Sequence, residues 1–174
     1  MSKTGFLQVA AGFVLALALA FFIWPKSQEK TVHEISAEPV FAASFKDLDD
    51  KIQPLKQWHG KVVVLNFWAP WCPPCREEMP DFIKLQDKYR ERGLVFIGVA
   101  LDEKIKVQAF VDEMGVNYPI LLGEIDAVDL ARKIGNRMGG LPFTVVIDRN
   151  GRIIASEVGG LTMAHLEKIV LPLL

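Results

Sequence analysis

Val62-Val63-Val64-Leu65-Asn66-Phe67-Trp68-Ala69-Pro70-Trp71-Cys72-Pro73-Pro74-Cys75 is the stretch that decides this chain. Its first half, apolar and rich in β-branched residues, reads as a buried strand. Its second half starts a helix, because Pro73 suits the first helical position, where a backbone N–H is not needed. Cys72 then falls at the N-cap and Cys75 within the first turn. Unpaired N–H groups and the positive end of the helix dipole favour a thiolate at Cys72, the form that attacks disulfides. Cys72 is the expected nucleophile. Cys75, shielded by the helix and close enough to bridge, is the expected resolving thiol, so the spacing suits dithiol/disulfide exchange.

Two other uses of the pair are weaker. A structural zinc site needs two more ligands, and with 2 cysteines in the chain only His33, His59 and His165 remain, far apart in sequence. A purely structural bridge over so short a loop adds little stability. No metal is expected.

Working outward, 174 residues with 51% hydrophobic content and a net charge of −1 hold one domain of ordinary size and an appendage. Lys and Arg are scattered singly, which argues against nucleic acid as a partner. The appendage is N-terminal. From Gly5 to Trp24 no residue is charged, and at ~1.5 Å rise per residue such a helix spans ~30 Å, the thickness of a bilayer core. A cleaved signal peptide is the rival, with Ala18-Leu19-Ala20 as a cleavage site. The run continues through Phe21-Phe22-Ile23-Trp24 and ends at Trp24-Pro25-Lys26 like an interfacial border, which favours an uncleaved anchor. The expected organisation is residues 1–4 a cytoplasmic N-terminus, 5–24 a transmembrane signal anchor, 25–42 a linker and 43–174 the catalytic domain. Lys3 on one side and Lys26 and Lys30 on the other leave the orientation open by charge.

Beyond the linker, Phe45 to Leu55 suggests a short hairpin ahead of the core strand. After Cys75, the stripe Phe82, Ile83, Leu85, Tyr89 predicts a helix stopped by Gly93, and Leu94 to Leu101 a buried strand, making a parallel βαβ unit. Ile105, Phe110, Val111 and Met114 mark a helix ended at Gly115, and Pro119 to Leu122 a short strand. Val128, Leu130, Ala131 and Ile134 mark another helix, capped at Asp126 and ended at Gly135. Phe143 to Asp148 and Arg152 to Glu157 read as an antiparallel hairpin turning at Asn150-Gly151, and Thr162 as the cap of a final helix. Glu77 and Glu78 read as surface charges compatible with the helix dipole. His59 and His165 read as surface or partly packed residues.

The segment Asn66 to Cys75 resembles the active-site segment of the thioredoxin superfamily, and the chain is similar in particular to the membrane-anchored TlpA/ResA/CcmG group of extracytoplasmic thiol-disulfide reductases. The resemblance runs from about Phe45 to the C-terminus and includes Gly140-Leu141-Pro142-Phe143-Thr144, where the family carries its cis-proline. It implies an α/β thioredoxin-like fold: a mixed central sheet flanked by helices, with an N-terminal hairpin and a central inserted αβ element. A cis Pro142 would lie against the cysteines and free the Leu141 backbone to pair with a substrate as an added strand. Leu141, Pro142, Pro73 and the exposed Trp71 are thus the expected substrate-binding residues, with Trp68 packed beneath. The resemblance also implies a monomer in the inner membrane with its catalytic domain in the periplasm, acting on disulfide-containing extracytoplasmic proteins and recharged by a membrane donor resembling DsbD or CcdA.

Two departures matter. Thioredoxins place a buried Asp where this chain has Asn66, so a proton acceptor must come from elsewhere. Glu103, after the Leu94 to Leu101 strand, matches the acidic residue that ResA-like members carry after this strand, and with burial and a raised pKa it would deprotonate Cys75. Equally, it reads as a surface residue at a helix start, with Asp102 its neighbouring rival. Second, the cytochrome c maturation branch often carries Gly-x-Pro-Glu-Thr where this chain has Phe143, which favours a general reductase. Pro73-Pro74 lacks the histidine of the strong oxidants and leans the same way. The readings from other classes are a Cu(I) chaperone using Cys72 and Cys75 with Met79 or Met138, and a peroxidase, which Ala69 argues against because a Thr is needed there. No cofactor is expected.

Overall fold

The computed structural model describes residues 35–174; the expected anchor and the first part of the expected linker lie outside them. The sheet has eight strands in the order β1-β8-β7-β4-β5-β6-β2-β3: β1 (Ile35–Ser36), β2 (Ser44–Asp47), β3 (Ile52–Pro54), β4 (Val62–Trp68), β5 (Leu94–Ala100), β6 (Ile120–Leu122), β7 (Phe143–Ile147) and β8 (Arg152–Val158). β4, β5 and β6 run parallel, and the other pairings are antiparallel. The helices are α1 (Glu38–Phe41), α2 (Pro73–Tyr89), α3 (Lys104–Met114), α4 (Ile125–Lys133) and α5 (Met163–Val170).

β4 and β5 are buried at every position, as their unbroken apolar runs require when helices cover both faces. Strand periodicity sorts their side chains. Val62, Val64 and Trp68 pack with Met79, Phe82, Leu85, Phe110 and Leu166 of α2, α3 and α5. Val63, Leu65 and Phe67 pack with Val40, Leu130 and Ala131 of α1 and α4. Asn66 has even parity, so it points with Trp68 toward the α2 layer.

The linker expected over 25–42 ends early. Ile35 pairs with Ile153, and Ala37 (0% exposed) and Val40 (1%) enter the second core layer. A short helix with apolar residues on its inner side covers a sheet face that would otherwise meet water, so the folded body begins at about residue 35 instead of 43.

Most of the other elements stand where the sequence puts them. The β2–β3 hairpin precedes β4, Gly93 and Gly115 end their helices with positive φ, Gly151 turns the β7–β8 hairpin at φ +78°, and Thr162 Oγ1 accepts from His165 N at 3.3 Å. Two details differ. α4 begins at Ile125 with Glu124 as N-cap, and among the described residues Asp126 accepts only from the adjacent Ala127 N–H. Ile105 is 77% exposed, because Val107 and Phe110 occupy the inward positions of α3.

Candidate active site

β4 ends at Trp68, and the chain turns through Ala69 to Trp71 before α2 begins. Cys72 is the N-cap in extended conformation, Pro73 follows as the first helical residue, and Arg76 N–H donates to Cys72 O at 3.2 Å. Cys72 and Cys75 are joined as a disulfide, with Cα atoms 5.3 Å apart. Cys72 keeps 3% of its surface exposed and Cys75 none, so an incoming sulfur meets Cys72. Trp71 beside it is 65% exposed and Pro73 is exposed, while Trp68 is sealed in the core.

The Leu141–Pro142 peptide is cis. Gly159 N–H donates to Pro142 O at 2.8 Å, tying this loop to the end of β8, and Gly160 lies against Pro74. Among the described residues the N–H and C=O of Leu141 have no hydrogen-bond partner. At the entry to β7, an interior strand, the Leu141 backbone therefore leaves a one-residue open edge, packed against the core layer that holds Cys72 and Cys75 and able to pair with an added strand.

The buried acid is Glu78, not Glu103. Cys75 and Glu78 are three residues apart on α2, so both face inward. Glu78 is 3% exposed; Asn66 Nδ2 donates to its Oε1 at 2.8 Å and Leu161 N–H to its Oε2 at 3.0 Å. Asn66 is positioned in turn by Thr144, its register partner on β7, whose Oγ1 accepts at 3.0 Å. Burial pushes the Glu78 carboxyl up to about 7, and the two hydrogen bonds only partly offset this. Glu78 also faces Tyr118, whose hydroxyl is held far above its ordinary value by burial and by the Glu78 charge.

Glu103 caps the start of α3 with 71% of its side chain exposed and its carboxylate 3.1 Å from Lys106. The burial on which its expected role rested is missing there, because the residue lies past the end of β5 at the solvent side of a helix start. Asp102, less exposed, accepts from Glu103 N–H at 2.7 Å and pairs with Lys106. The signal for Glu78 lay in position: Glu77 and Glu78 have the same chemistry, but only Glu78 shares the helix face of Cys75 and Phe82. Of the thioethers considered with copper, Met79 is sealed in the core and Met138 is 94% exposed, so the structure does not gather them. Among the described residues, no group of three or more His, Cys, Asp or Glu is arranged to hold a metal.

Comparison with known proteins agrees with this geometry. The Redoxin family model matches residues 35–169. The chain is 36% identical over 126 residues to the thiol-disulfide oxidoreductase ResA of Halalkalibacterium halodurans, covering 72% of this chain and 69% of that protein. It is 34% identical to the ResA of Geobacillus thermodenitrificans over 163 residues, 90% of either chain. Among solved structures, a thiol:disulfide interchange protein of the thioredoxin family from Chlorobium tepidum superposes with a TM-score of 0.70 at 28% identity, over 75% of this chain and 92% of that one. A dithiol pair at a helix N-terminus, a cis-proline beside it and this kinship together make the protein a thiol-disulfide oxidoreductase, and the chain belongs to the Redoxin family, in its TlpA/ResA/CcmG-like group.

Proposed function

We propose that the protein is a membrane-tethered disulfide reductase acting outside the cytoplasm. The observation that carries the exchange chemistry is the asymmetry of the pair: Cys72 opens to the surface at the N-cap, while Cys75 is sealed one turn from a buried carboxyl. In the reduced protein the Cys72 thiolate attacks one sulfur of a substrate disulfide, and the other substrate sulfur leaves as a thiolate that takes a proton. Cys75 then attacks the Cys72 sulfur, the second substrate thiol departs, and two electrons have passed to the substrate. What remains on the enzyme is the Cys72–Cys75 disulfide. Glu78, with a pKa near 7, takes the Cys75 proton in the second step.

Trp71, Pro73 and the half-buried Leu141 frame the surface on which the substrate segment lies, with Pro142 buried behind them. The uncharged Gly5 to Trp24 run supports tethering, with the catalytic domain on the periplasmic side and a DsbD- or CcdA-like membrane protein returning the electrons. Among the described residues no helix is long and apolar enough to cross a membrane, so the anchor rests on that run alone. The Pro73-Pro74 dipeptide supports the reducing direction.

The test is the reduction potential of the full chain, equilibrated in thiol buffers and read by thiol alkylation. A value near ~−270 mV or lower makes the protein a reductant, and one near ~−120 mV makes it a disulfide donor. Cys75→Ser leaves Cys72 without its resolving thiol, and in intact cells it is expected to trap the substrate as a mixed disulfide visible on non-reducing gels.

A further inference from the structure

Asn136 is 3% exposed and lies in the loop between α4 and Pro142, with no part in the exchange chemistry. Its side-chain amide grips one residue through both of its backbone groups: Nδ2 donates to Gly140 O at 2.9 Å, and Oδ1 accepts from Gly140 N at 3.1 Å. This is the pairing a neighbouring strand would supply, made here by one side chain. Its backbone is held as well, since Asn136 N–H donates to Ala131 O at 2.9 Å and Gly139 N–H donates to Asn136 O at 3.3 Å. The amide therefore couples the loop to the C-terminal turn of α4.

Gly140 fits this grip because a Cβ there would sit 2.8 Å from Val158 Cγ1. The residue after it is Leu141, whose backbone groups are unpartnered among the described residues. With both hydrogen-bonding groups of Gly140 occupied, the loop can rotate only from Leu141 onward, and there Pro142 O is already held by Gly159. An open edge anchored on both sides offers its N–H and C=O in fixed directions, which lowers the ordering cost of adding a substrate strand.

We propose that Asn136 is a positioning residue for protein substrates: by clamping Gly140 it presents the Leu141 edge beside the disulfide, and so sets substrate affinity without touching the reacting sulfurs. This rests on the reading of the Leu141 edge as the docking surface. A small disulfide that needs only Cys72 does not use the clamp; a polypeptide disulfide does.

The test compares the full chain with Asn136→Ala, which removes both bonds, and Asn136→Asp, which keeps the acceptor and loses the donor. Dithiothreitol drives reduction of insulin, and the single-step reaction of the reduced protein with 5,5′-dithiobis(2-nitrobenzoate) is run alongside. Loss of the clamp is expected to raise KM for insulin about fivefold in Asn136→Ala, the size of one net hydrogen bond, with less change in Asn136→Asp. The kcat, the small-disulfide rate and the reduction potential stay unchanged. An unchanged KM in both variants overturns the proposal, as does a parallel fall in the small-disulfide rate, which would make Asn136 a support of the fold alone. If Asn136→Ala does not fold, Asn136→Asp carries the test. Leu141→Pro, which deletes the edge N–H, separates the two levels: if it raises KM while the Asn136 variants do not, only the clamp fails; if none raises KM, the docking surface fails and the clamp with it.

Discussion

Glu78 spends stability on the proton transfer proposed for it. An unfolded glutamate ionises above its ordinary value of 4.5, whereas the buried one holds its proton until about 7. Between those values the folded protein binds a proton that the unfolded chain has released, so Glu78's contribution falls as pH rises through this window and is lowest above 7. The full penalty is about 3 kcal/mol at ~1.4 kcal/mol per pKa unit. Glu78→Gln removes it, and at pH 8 the variant should resist denaturant better by about 1–2 kcal/mol, after allowing for a weaker bond to the Leu161 N–H. The same variant should lose the inflection near pH 7 in the rate of the resolving step, followed by rapid quench and alkylation. Asn66→Asp should move that inflection upward, because a second carboxyl against Glu78 disfavours the charge on either. A downward move would show that the Asn66 position does not set the Glu78 proton affinity.

Among the elements, β4 and β5 pack so closely that small changes have named consequences. A Cβ at Gly98 would meet Ile120 Cδ1 at 2.7 Å and Trp68 Nε1 at 2.9 Å, and Gly98→Ala should cost about 1–3 kcal/mol of stability through overpacking, measured by thermal unfolding. What could be read from sequence at this scale was whatever local chemistry decides: the proline that opens α2, the glycines that stop the chain after α2 and α3, the Asn-Gly turn, the threonine cap. What could not be read was which of two identical side chains faces inward. Glu77 and Glu78 separate only when the face of α2 is known, and Glu103 looked suitable because it follows the Leu94 to Leu101 strand where ResA-like members carry an acid, which does not say how far its side chain stands from the cysteines. Asp126 misled for a related reason: acids are common in the first turn of a helix as well as at its cap, and here the chain enters α4 two residues earlier. Asn136 carried no signal in isolation, since its partner is a backbone.

For the whole molecule, the boundary matters most. The central fold was legible because a buried parallel core and a Cys-Pro-Pro-Cys helix start leave few alternatives. The entry into the body was not, because Ala37 and Val40 look like tether until a sheet face exists to receive them. A chain beginning at residue 35 should therefore unfold at a higher temperature than one beginning at 43. The difference should reach at least the about 1.5–3 kcal/mol of a fully buried valine, and equal melting temperatures would return residues 35–42 to the linker.

The two indoles flanking the redox pair divide the labour of observation between them. Trp68 is sealed in the layer beneath the cysteines and Trp71 stands 65% open at the rim, while Trp58 packs against the opposite layer. Emission from the shielded ring is blue and that from the wet one red, so opening the disulfide and seating a polypeptide on the surface would register at different wavelengths. With Trp24 and Trp58 replaced by Phe, the chain carries its own two-colour gauge, one channel for electron transfer and one for encounter, with no label attached.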